Sequence, residues 1–171
     1  VAAISGNHMD WATQAGGVDV TKKLFTELGL GPIYDTDEIR VKLVSPNGAS
    51  FTHKARHKYR GSSKYNAVHG ILVNMLEGWQ GEDIFWGGHI HTAGHLSIQK
   101  KWLGENRTVH GIQLAAYKTI DGYARQEGFR ENVPFLVPMV VHDPARNKSI
   151  FFEDMHDGIR HLDFLRAGKY V

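Results

Sequence analysis

The sequence predicts a layered α/β domain with mixed sheets. Helical and strand patterns alternate through the first half, and strand follows strand through the second. The 171 residues, 42% hydrophobic and 22% charged, are enough to bury one core.

The elements follow in order. Val1–Ser5 is a short apolar strand running into "GNHMDW". In "VDVTKKLFTELGL", Val20, Leu24, Phe25 and Leu28 recur at helical spacing, with Gly29 as the stop. "EIRVKLVS" alternates as a half-buried strand does, and "PNG" turns the chain into "ASFTHKARH", predicting a hairpin. "YNAVHGILVNMLEGW" reads as a helix with Val68, Leu72, Met75 and Leu76 on one face, and "DIFWG" as a short buried strand. "LSIQKKWLGENRTVHGIQLAAY" predicts two strands around a turn at Gly104–Asn106. Pro134 to Val141 and "KSIFFEDM" are further strands, and "GIRHLDFLR" a last turn of helix. There is no repeat, low-complexity tract or linker, so residues 1–171 read as one domain.

Composition excludes several classes. A net charge of +2 does not argue for nucleic acid, although His53–Lys64 is locally basic. The absence of cysteine rules out disulfides, thiolate ligands and a cysteine nucleophile, and with no secretory pattern the expected location is cytoplasmic. No apolar run approaches the roughly 20 residues needed to span a bilayer, so no membrane partner is expected. The chain opens at Val1 inside an apolar run, and upstream residues are expected.

Polar, metal-competent side chains gather at three strand ends: Asn7 and His8 after the first strand, His53 and His57 on "SFTHKARH", and His89 and His91 after "DIFWG". Ligand sites in α/β sheets form outside the carboxyl ends of strands, so these three ends are expected to converge. In extended backbone His89 and His91 share a face, and neutral imidazole suits divalent transition metals. His95 and His110 are assigned polar or supporting roles, and His142, His156 and His161 surface or structural ones. His69 opens a helix, where an anion rather than a cation is favoured.

"GNH" after a strand, a strand ending in His, and "GHIH" after another strand occur in this order. This series resembles the C-terminal half of the calcineurin-like metallophosphoesterases, mainly over residues 1–95. The resemblance implies a four-layer α/β/β/α sandwich of two mixed sheets, with its N-terminal part absent from this chain. It also implies a two-metal site (Mn, Fe, Ni or Zn) in which ions about 3.5–4 Å apart hold a phosphoester and activate a water. Carried over by position, Asn7 and His89 resemble ligands of the second metal, His57 the ligand between them in sequence, and His91 a ligand of the first. His8 resembles the histidine that protonates the leaving oxygen.

Two departures stand out. Met9 occupies the place of the carboxylate that orients this histidine in the family, which leaves Asp10 as its substitute. The family's Asp-x-His and Gly-Asp-x-x-Asp blocks, which supply first-metal ligands and the bridging Asp, do not precede "GNH" in this chain, so the resemblance implies a half-site unless upstream residues supply them. The choice of ligand falls on His57, with His53 structural and His69 near substrate. Arg56–Asn66 resembles stretches in phage-encoded members, and Arg56, Lys58, Arg60 and Lys64 with Tyr59 and Tyr65 either meet a phosphodiester backbone and its bases or form a solvated loop beside the site. Lys118, Tyr123 and Arg125 either line a substrate groove or cap the second sheet. The expected function is metal-dependent hydrolysis of a phosphodiester, with nucleic acid the candidate substrate. The alternatives are a catalytically incomplete metal- or DNA-binding module and a structural protein with incidental histidines.

Overall fold

The computed structural model describes residues 3–61, 63, 65–115 and 137–168, with the backbone alone for residues 7 and 8. Five strands form its main sheet: β3 (Glu38–Val44), β4 (Ser50–Arg56), β5 (Ile84–Gly87), β6 (Gly94–Trp102) and β7 (Glu105–Gln113). Their spatial order is β3-β4-β5-β7-β6. The central strand β5 runs parallel to β4 and β7, while both edge strands are antiparallel to their neighbours. The sheet is therefore mixed. Strand β5 is flanked on both sides, and its Ile84 and Phe85 are fully buried, which accounts for its continuous apolar run.

Two smaller sheets accompany it. β1 (Ala3–Ile4) pairs in parallel with β2 (Tyr34–Asp35), and β8 (Met139–Asp143) pairs antiparallel with β9 (Lys148–Phe152). The α-helices among the described residues are α1 (Asn7–Gly16), α2 (Val20–Glu27), α3 (His69–Glu77) and α4 (Met155–Arg166).

Alternation along the strands sorts the sheet's two faces. One face carries Tyr59, Phe85 and Val109, against which α3 lays Ile71 and Met75. Gly111 admits this helix, because a Cβ there would lie 2.7 Å from Met75 Sδ and 2.8 Å from Ile71 Cγ2. Lys54 is 4% exposed on the same side, and its ammonium meets Glu38 at 3.1 Å. That pairing offsets the desolvation of both charges. The other face carries His53, His110 and Ile112, and the β8–β9 ribbon approaches it through His142 and Ser149. Helix α4 packs on the ribbon, with Gly158 against Met139.

Several expectations change. Helix α1 occurs where the sequence carries no apolar period. Gly17 closes it at φ 69°, its N–H donating to Thr13 O at 2.7 Å. Helix α2 forms as expected, with Asp19 capping Lys22 N at 2.8 Å, yet Val20, Leu24 and Leu28 are exposed. In α3 the buried stripe is Gly70, Ile71 and Met75, whereas Leu76 is 57% exposed. The β6–β7 turn is two residues, Leu103 and Gly104, both at positive φ, rather than Gly104–Asn106. Strand β8 begins at Met139, and the earlier residues Pro134–Leu136 lie outside the described residues. Helix α4 spans 12 residues rather than one turn. No helix among the described residues is long and apolar enough to cross a membrane.

Candidate functional site

β4 and β5 run side by side in parallel, with Arg56 opposite Gly87, so the residues just past their ends emerge together. His57 follows β4 directly and His89 follows β5 by two residues. His57 Nε2 and His89 Nδ1 stand 3.1 Å apart, with the rings at 79°. Gly88 N–H donates to His57 O at 3.1 Å, joining the two strand ends.

The third strand end closes on the same point. Gly6, between β1 and α1, packs its backbone on the His57 ring, where a Cβ would lie 3.3 Å from Cε1. A side chain there would push the His57 ring by a few tenths of an ångström. Asn7 and His8 begin α1 immediately afterwards. Asp10 Oδ1 accepts from Ser5 Oγ at 2.9 Å, and Asp10 N–H donates to Gly6 O at 3.1 Å.

His89 and His91 do not lie on extended backbone. Their φ angles are 71° and 62°, in the left-handed region that favours glycine. Ile90 N–H donates to Gly88 O at 2.8 Å, so His89 is the centre of a tight i→i+2 turn. The facing of His89 toward His57 thus comes from this turn and not from strand alternation. Left-handed non-glycine residues cost on the order of 1–2 kcal/mol each, and such strain concentrates at functional loops.

A residue not singled out in the sequence holds this loop. Gln113, 3% exposed at the end of β7, donates through Nε2 to Gly87 O at 3.2 Å and also to Gly88 O. Leu114 N–H adds a bond to Gly87 O at 2.8 Å. The available signal was an uncharged amide ending an otherwise apolar strand segment, "GIQL".

The other candidates are placed as follows. His53 lines the same cleft as His57, accepting from Trp86 Nε1 at 3.0 Å and meeting His142 Nε2 at 2.7 Å. Burial holds its pKa below the usual histidine value. Arg56 is already matched, at 2.7 Å to Asp37 and 3.1 Å to Glu38. Arg60 and Lys58 are exposed, and Arg60 makes no ion pair among the described residues. His69 starts α3 beside Gly61, where a Cβ would lie 3.6 Å from its Cδ2. Lys118, Tyr123 and Arg125 lie outside the described residues. A cleft of about 400 Å³ adjoins the pair, lined among others by Ile4, Val41, His53, His57, Trp86 and Leu114.

The donor chemistry at the pair fits one divalent ion. Two imidazole nitrogens bound to an ion at the usual 2.0–2.1 Å would lie about 3–3.4 Å apart, and the observed separation is 3.1 Å. Among the described residues no group of three His, Cys, Asp or Glu side chains is gathered as a metal site. Comparison with known families, with characterised proteins and with solved structures finds no match.

Proposed function

We propose that the chain is a metallophosphoesterase domain of the calcineurin-like type, acting on a phosphodiester with divalent metal ions. The observation that carries this reading is the pair His57–His89, held 3.1 Å apart at two parallel strand ends beneath the "GNH" turn. In this reading α3, the main sheet, the β8–β9 ribbon and α4 belong to a four-layer sandwich.

Asn7, His57 and His89 would hold one ion and His91 would contribute to a second. Bound ions would polarise the phosphoryl oxygens and supply a nucleophile from water near neutral pH. His8 protonates the leaving oxygen, and Asp10, fixed by Ser5, orients His8 in place of the carboxylate that Met9 replaces. Arg60 and Lys58 meet the phosphodiester backbone. Tyr65, 96% exposed, presents a face for base stacking, which favours nucleic acid as substrate. Arg56, matched by Asp37 and Glu38, shapes this edge, and His69 reaches toward the phosphate from the start of α3.

One observation favours a second reading. The described residues gather two imidazoles rather than a full ligand set, as in a metal- or DNA-binding module that lacks turnover. The test is metal content after manganese loading, together with hydrolysis of bis(p-nitrophenyl) phosphate. Two ions and metal-dependent turnover support the phosphoesterase. One ion without turnover supports a metal-binding module, and no bound metal overturns the phosphoesterase and the metal-binding module alike.

A further inference from the structure

Beside the cleft, four imidazoles join the main sheet to the β8–β9 ribbon. Trp86 Nε1–H is only a donor, so His53 Nδ1 accepts it at 3.0 Å and the proton of His53 sits on Nε2. That N–H donates to His142 Nε2 at 2.7 Å, which leaves His142 Nδ1–H to donate to Ser149 Oγ at 2.8 Å. A second chain reaches the same serine. Ser149 O can only accept, so His110 donates to it through Nε2 at 3.2 Å. His110 Nδ1 then accepts from His95 Nε2–H at 3.0 Å.

The hydrogen-bond directions leave no place for an added proton on His53, His142 or His110. The lone pairs of His53 Nδ1, His142 Nε2 and His110 Nδ1 each face an N–H, so a proton arriving at any of them must expel its partner. The stacking contacts run through the same rings, His142 on Phe51 at 4.1 Å and His95 on Phe151 at 3.7 Å. Among the described residues, the hydrogen bonds and ring contacts from ribbon to sheet all pass through an imidazole, apart from Asn47 Nδ2 to Pro144 O at 3.0 Å.

We propose that this histidine seam is an acid-operated latch, which releases the β8–β9 ribbon with α4 from the main sheet. The latch is independent of the reaction performed at His57 and His89. Burial holds all four rings below their usual pKa, with His95 and His142 at about 4. His53 and His110 push His142 further down, and His110 does the same to His95. Asp83, paired with Arg107 at 3.3 Å, acts on His110 in the opposite sense. An unfolded or released histidine takes up its proton near pH 6.5. The closed seam is therefore fully stable above that pH and is lost as pH falls toward 4.

Hydrogen exchange of the whole chain, corrected for intrinsic rate, tests this between pH 7.5 and 4. Protection of residues 139–152 is expected to fall at least tenfold below pH 6.5, reversibly, while β5 and β7 keep theirs. Loss of ribbon and core together, or a ribbon protected down to pH 4, overturns the latch. His142→Phe preserves the stack on Phe51 and removes one titrating ring. It is expected to lower the midpoint by more than half a pH unit, and an unchanged midpoint overturns the assignment. Should this variant fail to fold, the exchange profile of the unaltered chain decides alone.

Discussion

His57 Nε2 and His89 Nδ1 face each other at 3.1 Å. One of these atoms carries a proton toward the other, because two lone pairs at that distance repel. Ligation by both rings therefore requires the donating imidazole to move its proton to its other nitrogen. Metal ion and hydrogen bond are alternative uses of the same two atoms.

This exclusivity gives a direct expectation. His57→Ala and His89→Ala should each weaken manganese or zinc binding by more than the roughly 10–100-fold that follows loss of an outer partner of a ligand. Calorimetric titration of both variants measures it. Affinities equal to the parent's would remove the pair from the metal site.

The catalytic assignment separates from metal binding at His8. His8→Ala should retain metal and slow phosphodiester hydrolysis by about 10²–10⁴-fold, the usual contribution of a lost general acid. Turnover on bis(p-nitrophenyl) phosphate with metal content measured in parallel checks this. Undiminished turnover would end the role given to His8.

Part of this arrangement was legible in the sequence because it is local. The "PNG" turn, the apolar "DIFWG" and the histidines just past their strands depend on few neighbours, and they fall where expected. Helix α1 was not legible, since "NHMDWATQAG" has no apolar stripe and ends on a glycine cap. The pairing of His53 with His142 spans 89 positions, beyond the reach of any local pattern. The same limit hid Gln113, whose use depends on β7 lying beside β5. His89 and His91 were located correctly at the strand end, but their left-handed backbone has no signature in "GGHIHTAG".

The strained loop predicts opposite effects of two small substitutions. His89→Ala keeps a Cβ at φ 71°, whereas His89→Gly removes it. Relief of about 1–2 kcal/mol less an entropic loss of about 0.5–1 kcal/mol leaves glycine the more stable by about 0.5–1 kcal/mol. For a domain of this size that is roughly 1–4 °C in Tm. Thermal unfolding of the two variants decides it, and a less stable glycine variant would contradict the strain.

Gln113→Leu should lose about 1–2 kcal/mol, since its buried amide donors to Gly87 O and Gly88 O are removed. Those carbonyls retain the N–H groups of Leu114 and Ile90, which limits the loss. Gln99, exposed and bonded to Thr108, is the control, and Gln99→Leu should stay within about 0.5 kcal/mol. Metal affinity should fall only for Gln113→Leu. Destabilisation without that fall would make Gln113 a support of the sheet alone.

Two glycines in helices separate local preference from packing. Alanine is favoured over glycine within a helix by about 1 kcal/mol, so propensity alone predicts stabilisation at both Gly16 and Gly70. Around Gly16 a Cβ would meet nothing within 4 Å, and Gly16→Ala should stabilise by a few tenths to about 1 kcal/mol. At Gly70 a Cβ would lie 2.8 Å from Gly61 O, 3.1 Å from Tyr59 O and 3.2 Å from Arg60 O. These are backbone oxygens with no rotamer to adopt, so the loop carrying Arg60 must move away from α3. Overpacking of this kind costs about 1–3 kcal/mol, which outweighs the propensity gain. Gly70→Ala should therefore lower the unfolding midpoint in urea, whereas Gly16→Ala raises it. A stabilised Gly70→Ala would mean that the loop and the start of α3 do not pack as closely as described.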